Sequence, residues 1–461
     1  MSNLHDDLTL TILKKVLATG CDFADIFVEN RPHVSIQLEA DRIEKVVSGT
    51  ESGVGIRVVR GGKTTYAYSN DFSEKSLLEL TQTVSRAVQE NDNVSINLKK
   101  LHPEVDFKIE QNPRTIGIDQ KISIISNANK IARKVSKKIK QVTVNYRDSI
   151  QNVYVATSEG SISLDERIYT MAVIHVVAAE GDILQTCYEP IGGFIGFELF
   201  DRESFKEKAL HVAQKAVAML KAQKISGGRM PVVISSDAGG TMIHEAIGHG
   251  LEADLAQQGL SVFSNKTGQQ IASSLVTVID DSTLPGKRGS FRFDDEGVPS
   301  QKTVLVEKGT LRAYMYDRLT SMKDGVPSTG NGRRESYECR PIPRMTNTFI
   351  APGGSEPQDI IKSVPKGLFV KKMGGGQVNT VTGEFVFDVS EGYLIEDGKI
   401  GEMVRGATLI GNGPGVLNSI DMVGNDLGFS IGTCGKDAQG IPVSDAMPTI
   451  RIPEIVVGGE A

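Results

Sequence analysis

The sequence predicts an α+β fold in two parts. Residues 1–225 read as an α/β N-terminal half, and residues 226–461 as a β-rich C-terminal half carrying a histidine-bearing helix. Three observations predict this. At 461 residues the chain exceeds one ordinary domain. Helical and alternating strand patterns intermingle before Ile225-Ser-Gly-Gly-Arg229, and hairpin signals dominate after it. Glycine is abundant, at 48 residues, and recurs in short turns between apolar-alternating runs.

Residues 7–19 form an amphipathic pattern ended by Gly20. Alternating runs at 24–29, 34–39 and 55–60 read as strands, and Gly61-Gly62 turns the last one back into 64–68. Ser73 caps a helix through about Glu90, with Leu77, Leu78, Leu80, Val84 and Val88 on its apolar face. Residues 93–116 are weakly patterned and read as a linker. The helix predicted over 119–140 is basic (Lys121, Lys130, Arg133, Lys134, Lys137, Lys138, Lys140), and its cations read as a solvated face. A meander over 142–200 turns at Glu159-Gly160 and Glu180-Gly181, and a helix over 203–223 closes this half.

The second half opens with an apolar run from Met230 into Ser, Asp and Gly residues. A helix then carries the stripe Met242, Ile243, Ala246, Ile247, Leu251 and Leu255. Hairpin signals recur at Lys308-Gly309, Thr382-Gly383 and Asp397-Gly398. Gly374-Gly-Gly376 reads as a close approach of a strand to another backbone. Asp294-Asp-Glu-Gly297 reads as a turn with solvated charges. Arg333-Arg334-Glu335 reads either as a carboxylate clamp or as intramolecular ion pairs.

A hydrophobic fraction of 39% with 23% charged residues is that of a globular protein with ample core. Net charge is −6 and the pI about 5.8, so bulk attraction to nucleic acid or anionic membrane is not expected. Four unpatterned cysteines argue against a disulfide framework and for a reducing compartment. The N-terminus lacks the basic and apolar regions of a signal peptide, and no apolar run approaches the ~20 residues of a membrane helix. A cytoplasmic protein is expected.

The chemistry concentrates in residues 244–249, His-Glu-Ala-Ile-Gly-His. Neutral imidazole is a good zinc ligand, and a neighbouring carboxylate can take a proton from water at the metal. The familiar zinc-hydrolase spacing places the two histidines four apart; here they are five apart. On a regular helix that offset is roughly 140°, against roughly 40° for four residues. A single-turn π-bulge absorbs the extra residue, so a local irregularity at 245–249 is predicted, with Gly248 easing the distortion. The same residues also suit a plain surface helix, but the strand and cap residues before them favour a site.

Two histidines leave a zinc site incomplete. His5, His33, His102, His175 and His211 lie in ordinary strand and helix patterns. Cys434 leads as the third donor, because flanking glycines leave its sulfur accessible and Lys436 favours the thiolate. Glu252 and Asp254 are rivals. Cys21, Cys187 and Cys339 read as inert. These ligand types alone admit Fe2+ as well as Zn2+.

The hexapeptide and the cysteine loop, together with further segments, resemble the TldD/PmbA family of zinc metallopeptidases. The resemblance covers 243–254, Ser261-Val-Phe-Ser264, Asp294-Asp-Glu-Gly-Val-Pro299 and Thr329-Gly-Asn-Gly-Arg-Arg-Glu-Ser-Tyr337. It continues through Pro343-Arg-Met-Thr-Asn-Thr348, Gly375-Gly-Gln-Val-Asn379, Met422-Val-Gly-Asn-Asp426 and Cys434-Gly-Lys436. It implies metal ligands at His244, His249 and Cys434 and a catalytic carboxylate at Glu245. It also implies a dimer, either of this chain or with a PmbA/TldE-like paralogue lacking the metal motif. That dimer would enclose a cavity in which unfolded or short peptides are cleaved. A non-catalytic binding or assembly subunit with a structural metal is the competing reading. Nucleic acid and membrane are not expected partners.

Overall fold

In the computed structural model, which describes residues 6–85 and 95–459, the alternating runs of the first half assemble into one seven-stranded sheet. Its strands are β1 (Phe23–Glu39), β2 (Arg42–Arg60), β3 (Lys63–Ser69) and β4 (Lys99–Lys100). They are joined by β5 (Ile139–Thr157), β6 (Ser161–Glu180) and β7 (Ile183–Phe194). The order is β3-β2-β1-β5-β6-β4, and β7 also pairs with β6. The runs at 24–29 and 34–39 belong to one continuous strand. Pro32 is tolerated inside it because the ladder to β5 skips Arg31 and Pro32, where a missing N–H costs nothing. Gly61 and Gly62 both take positive φ, as their two-residue hairpin requires.

Among the described residues, five α-helices accompany this sheet: α1 (Asp6–Leu17), α2 (Glu74–Ser85), α3 (Ile118–Lys134), α4 (Leu199–Arg202) and α5 (Phe205–Met219). Ile125, Ala128 and Ala132 of α3 join Val212, Ala213 and Ala216 of α5 over the β5–β6 surface. The helix predicted to reach residue 140 stops at Lys134. Ile139 already pairs with Ala178 of β6, so tertiary pairing overrides the helical spacing. Lys121 is not on the solvated face: its Nζ lies buried, 2.5 Å from Asp148 Oδ2. The predicted helix end at 86–90, including Val88, lies outside the described residues, as does His5.

The second half builds two larger sheets. The six-stranded one runs Thr310–Leu311, Lys302–Glu307, Val278–Asp281, Asn347–Ile350, Gln439–Met447, Gly428–Lys436, so Gly428–Lys436 is an edge strand. The eight-stranded one is centred on Gly228–Ile234, Ile450–Gly458, Thr408–Asn412 and Glu384–Glu396. Hairpins form at all three predicted turns, with Glu307 opposite Thr310, Val378 opposite Phe385 and Glu396 opposite Lys399. One apolar cluster draws on both sheets and also takes in Met242, Ile243, Ala246, Ile247 and Leu251. The histidine segment is therefore clamped in the core. At Gly376 the close neighbour is a ring rather than a backbone: an added Cβ would lie 2.0 Å from Phe387 Cδ1.

The acidic run 294–296 is not solvated. Asp294, Asp295 and Glu296 are buried; Asp294 accepts the N–H groups of Glu296, Val298 and Gly332, and the other two meet cations from the first half. Arg167 Nη1 donates to Asp295 at 2.7 Å, and Arg57 Nη1 lies 2.6 Å from Glu296. Arg334 in turn reaches back to Asp25 of β1 at 3.4 Å. These buried pairs form the seam between the two halves. Among the described residues no helix is long and apolar enough to cross a membrane.

Candidate metal centre

The segment after strand Gly228–Ile234 passes through three helix types within a dozen residues. Thr241–Ile243 is α-helical, His244–Gly248 is a π turn and His249–Leu251 is 3-10. The His249 N–H donates to the His244 carbonyl, the five-residue bond that defines a π turn. That bond stacks residues five apart on one face, so the predicted irregularity is present and both imidazoles point the same way. Glu252 then turns extended (φ −72°, ψ 123°), which ends the run before the predicted Leu255. Gly248 itself has ordinary helical angles (φ −53°, ψ −59°). Its smallness serves packing instead: an added Cβ would lie 2.2 Å from Met345 Sδ.

A ring nitrogen of His244, one of His249 and Cys434 Sγ all lie within 4.8 Å of one another. The two rings stand nearly perpendicular, at 88°, with centroids 4.9 Å apart. Cys434 Sγ is 3.5 Å from His249 Nε2. Each Nδ1 is already engaged, His244 with Asp445 Oδ1 at 2.8 Å and His249 with Glu252 Oε2 at 3.0 Å. Both Nε2 atoms are thereby left to face the sulfur. A carboxylate behind each imidazole fixes its tautomer and raises its basicity, as in zinc sites. Two imidazoles and one thiol, backed in this way, fit a transition-metal ion.

Glu252 and Asp254 stand behind the histidines instead of joining the cluster. Glu252 is 0% exposed, and Lys436 Nζ lies 3.1 Å from its Oε2. Burial alone would raise the Glu252 carboxyl, but Lys436 and His249 outweigh it and bring it down to about 2. Lys436 also donates to Asp254 Oδ1 at 2.7 Å. It is therefore the partner of the two carboxylates and not of the thiol. Nor is the sulfur openly accessible, since Cys434 is only 3% exposed on the inward face of the edge strand. Burial pushes its thiol up, and the two imidazoles pull it down to about 5. Burial likewise raises Cys21, Cys187 (to about 11) and Cys339. Glu245 is half-buried beside the histidines, and burial raises its carboxyl against their opposing charge.

Two residues of this centre escaped the sequence reading. Asp445 lies in the apolar strand Gln439–Met447, where a lone buried carboxylate was the available signal. Arg344, fully buried, donates from Nη2 to the Cys434 carbonyl at 2.6 Å and so anchors the strand that carries the sulfur. The other described histidines stay apart: His33 is in β1, His175 in β6 (stacked on Tyr188), His211 in α5 and His102 just after β4. Beside the edge strand, a cavity of about 230 Å³ separates Phe429–Gly432 from Tyr188–Gly192 of β7, with Asp445 on its wall.

The chain matches the PmbA/TldA metallopeptidase C-terminal domain over residues 227–459, the central domain over 111–220 and domain 1 over 24–90. It is 35% identical to a metalloprotease TldD homologue of Buchnera aphidicola (subsp. Acyrthosiphon pisum), over 99% of this chain and 97% of that protein. Identity to a metalloprotease of Methanocaldococcus jannaschii is 36%, over 96% of this chain and 98% of the relative. A crystal structure of TldE from Thermococcus kodakarensis shares the fold, with a TM-score of 0.76 at 18% identity over 98% of this chain and 99% of that one. The two metalloprotease relatives favour an enzyme over a binding subunit. The chain belongs to the PmbA/TldD family and is a metallopeptidase of the kind found among the TldD homologues.

Proposed function

We propose that the chain is a zinc-dependent peptidase that cleaves unfolded or short peptides, with His244, His249 and Cys434 as metal ligands and Glu245 as proton carrier. The observation that carries this is the π turn, whose geometry gathers two imidazoles and a thiol within 4.8 Å with Glu245 beside them. Zinc bound there supplies Lewis acidity, which acidifies a water and polarises a peptide carbonyl. Glu245 then accepts the proton of the attacking water at its carboxylate and passes it to the leaving nitrogen. Asp445 and Glu252 hold the two rings in place through Nδ1. The cluster's burial and the cavity along the edge strand suit a peptide taken in extended form, its backbone hydrogen-bonding to that strand.

The division of labour at residues 225/226 belongs to the same proposal: the seven-stranded sheet draws only on residues before it, while the metal segment and its two clamping sheets lie almost wholly after it. The likeness to TldE supports a dimer, with itself or with such a paralogue, that encloses the site in the cytoplasm. Metal analysis combined with digestion of an unfolded peptide tests the reading. Expected are one zinc per active chain, loss of cleavage on chelation and recovery with Zn2+. Recovery with Fe2+ alone would replace the metal. Glu245→Gln is expected to keep its metal and slow cleavage by about 10²–10⁴-fold. Cleavage by that variant at the parental rate would remove Glu245 from the chemistry.

A further inference from the structure

A second cavity, of about 210 Å³, is lined by six arginines: Arg31, Arg147, Arg167, Arg288, Arg333 and Arg334. Three of them have carboxylate partners. Arg31 meets Glu29 and Glu51, Arg167 meets Asp165 and Asp295, and Arg334 meets Asp25. The other three have no carboxylate within ion-pair distance among the described residues. Arg288 donates to the Gly432 carbonyl and to Thr433 Oγ1. Arg333, buried, donates to the carbonyls of Met345 (2.6 Å) and Pro442 (2.7 Å). Arg147 is exposed at the rim. The two acids on the wall are already used: Asp295 binds Arg167, and Glu335 accepts the Gly440 N–H at 2.8 Å.

Guanidinium stays charged in proteins, so Arg147, Arg288 and Arg333 bring three positive charges to this cavity with no carboxylate of their own among the described residues. Burial and mutual repulsion among these arginines push Arg288 down to about 10 and Arg333 down as well. A bound anion would relieve that repulsion, and the forked donors of arginine match a carboxylate in shape. The surroundings select a small anion. The cavity holds one compact group, and a chain of net charge −6 does not favour a long polyanion.

Position relates the cavity to the metal centre. Thr433 on its wall precedes Cys434 in the edge strand, and successive side chains of a strand point to opposite faces. Thr433 is exposed and Cys434 buried, as that alternation requires. A peptide laid along the same edge alternates in the same way. A side chain or chain end facing the arginines then neighbours one facing the metal cluster.

We propose that this arginine cavity is a subsite for a carboxylate of the peptide substrate, supplied by its C-terminus or by an acidic side chain near the cleaved bond. The proposal rests on the peptidase reading above. Its test is binding of labelled peptides to the metal-loaded full chain carrying Glu245→Ala, so that peptide is not consumed. One sequence is compared as free acid, as C-terminal amide, and as amide with a single Glu at successive positions. The carboxylate-bearing forms are expected to bind about tenfold tighter than the plain amide. Arg147→Ala and Arg288→Gln should each lower the ratio of acid to amide affinity toward one. Preference for the free acid assigns the chain end, and preference for the Glu amides assigns the side chain. Equal binding of all three forms, or variants that weaken acid and amide alike, would overturn the subsite. Cleavage of the plain amide by the unmutated chain reports separately on the peptidase reading. Its absence with the acid preference intact would end that reading and leave the carboxylate cavity standing.

Discussion

His244 and His249 are five residues apart, yet each turns its Nδ1 to its own carboxylate and its Nε2 to one sulfur. That division of each ring makes Asp445 as informative as the donors themselves. A carboxylate behind a ligating imidazole holds the tautomer that leaves Nε2 free to coordinate, and its loss costs about 10–100-fold in metal affinity. Asp445→Asn is therefore expected to weaken zinc binding by about that factor while the fold survives, read by competition with a chelating dye. Unchanged affinity would reduce Asp445 to a packing residue. The cluster was legible because His244, Glu245 and His249 fall in one hexapeptide and Cys434 sits in a glycine-bearing loop sequence. Asp445 was not, because its partner lies 201 positions away and a single Asp in an apolar strand announces nothing local. Lys436 misled for the opposite reason: proximity in sequence to Cys434 suggested a thiolate partner, whereas its ammonium reaches Glu252 and Asp254.

At the scale of an element, the π turn is held by packing rather than by backbone freedom. Gly248 has helical angles and a methionine sulfur where its Cβ would be. Overpacking of this kind costs about 1–3 kcal/mol. Gly248→Ala should destabilise the chain by about that much in urea unfolding and lower its metal content, and adding Met345→Ala should restore part of both. An alanine accepted at no cost would mean that the turn is set elsewhere. The spacing argument reached the irregularity because five residues cannot share a face of a regular helix. It did not reach the cause, since Met345 is supplied by another part of the chain. The basic helix shows the same limit, ending where pairing between Ile139 and Ala178 takes over.

Across the whole molecule, buried ion pairs join the two halves. Arg57 and Asp25 come from the first sheet, while Glu296 and Arg334 come from the second half. Their acidic run looked like a solvated turn because the cations paired with its carboxylates, Arg57 and Arg167, are more than a hundred residues distant. Removing one partner of a buried pair strands the others, at about 3–5 kcal/mol. Arg57→Met should lower unfolding stability by about that amount, and a loss within about 0.5 kcal/mol of zero would deny the seam its role.

The proposed metal ion would sit at the meeting point of a π turn and an edge strand. X-ray absorption at the zinc edge of the purified, metal-loaded chain tests that most directly. The account predicts a single sulfur scatterer at about 2.3 Å with imidazole nitrogens at about 2.0–2.1 Å, and loss of the sulfur in Cys434→Ser. A spectrum without sulfur, or one unchanged by that substitution, would contradict it.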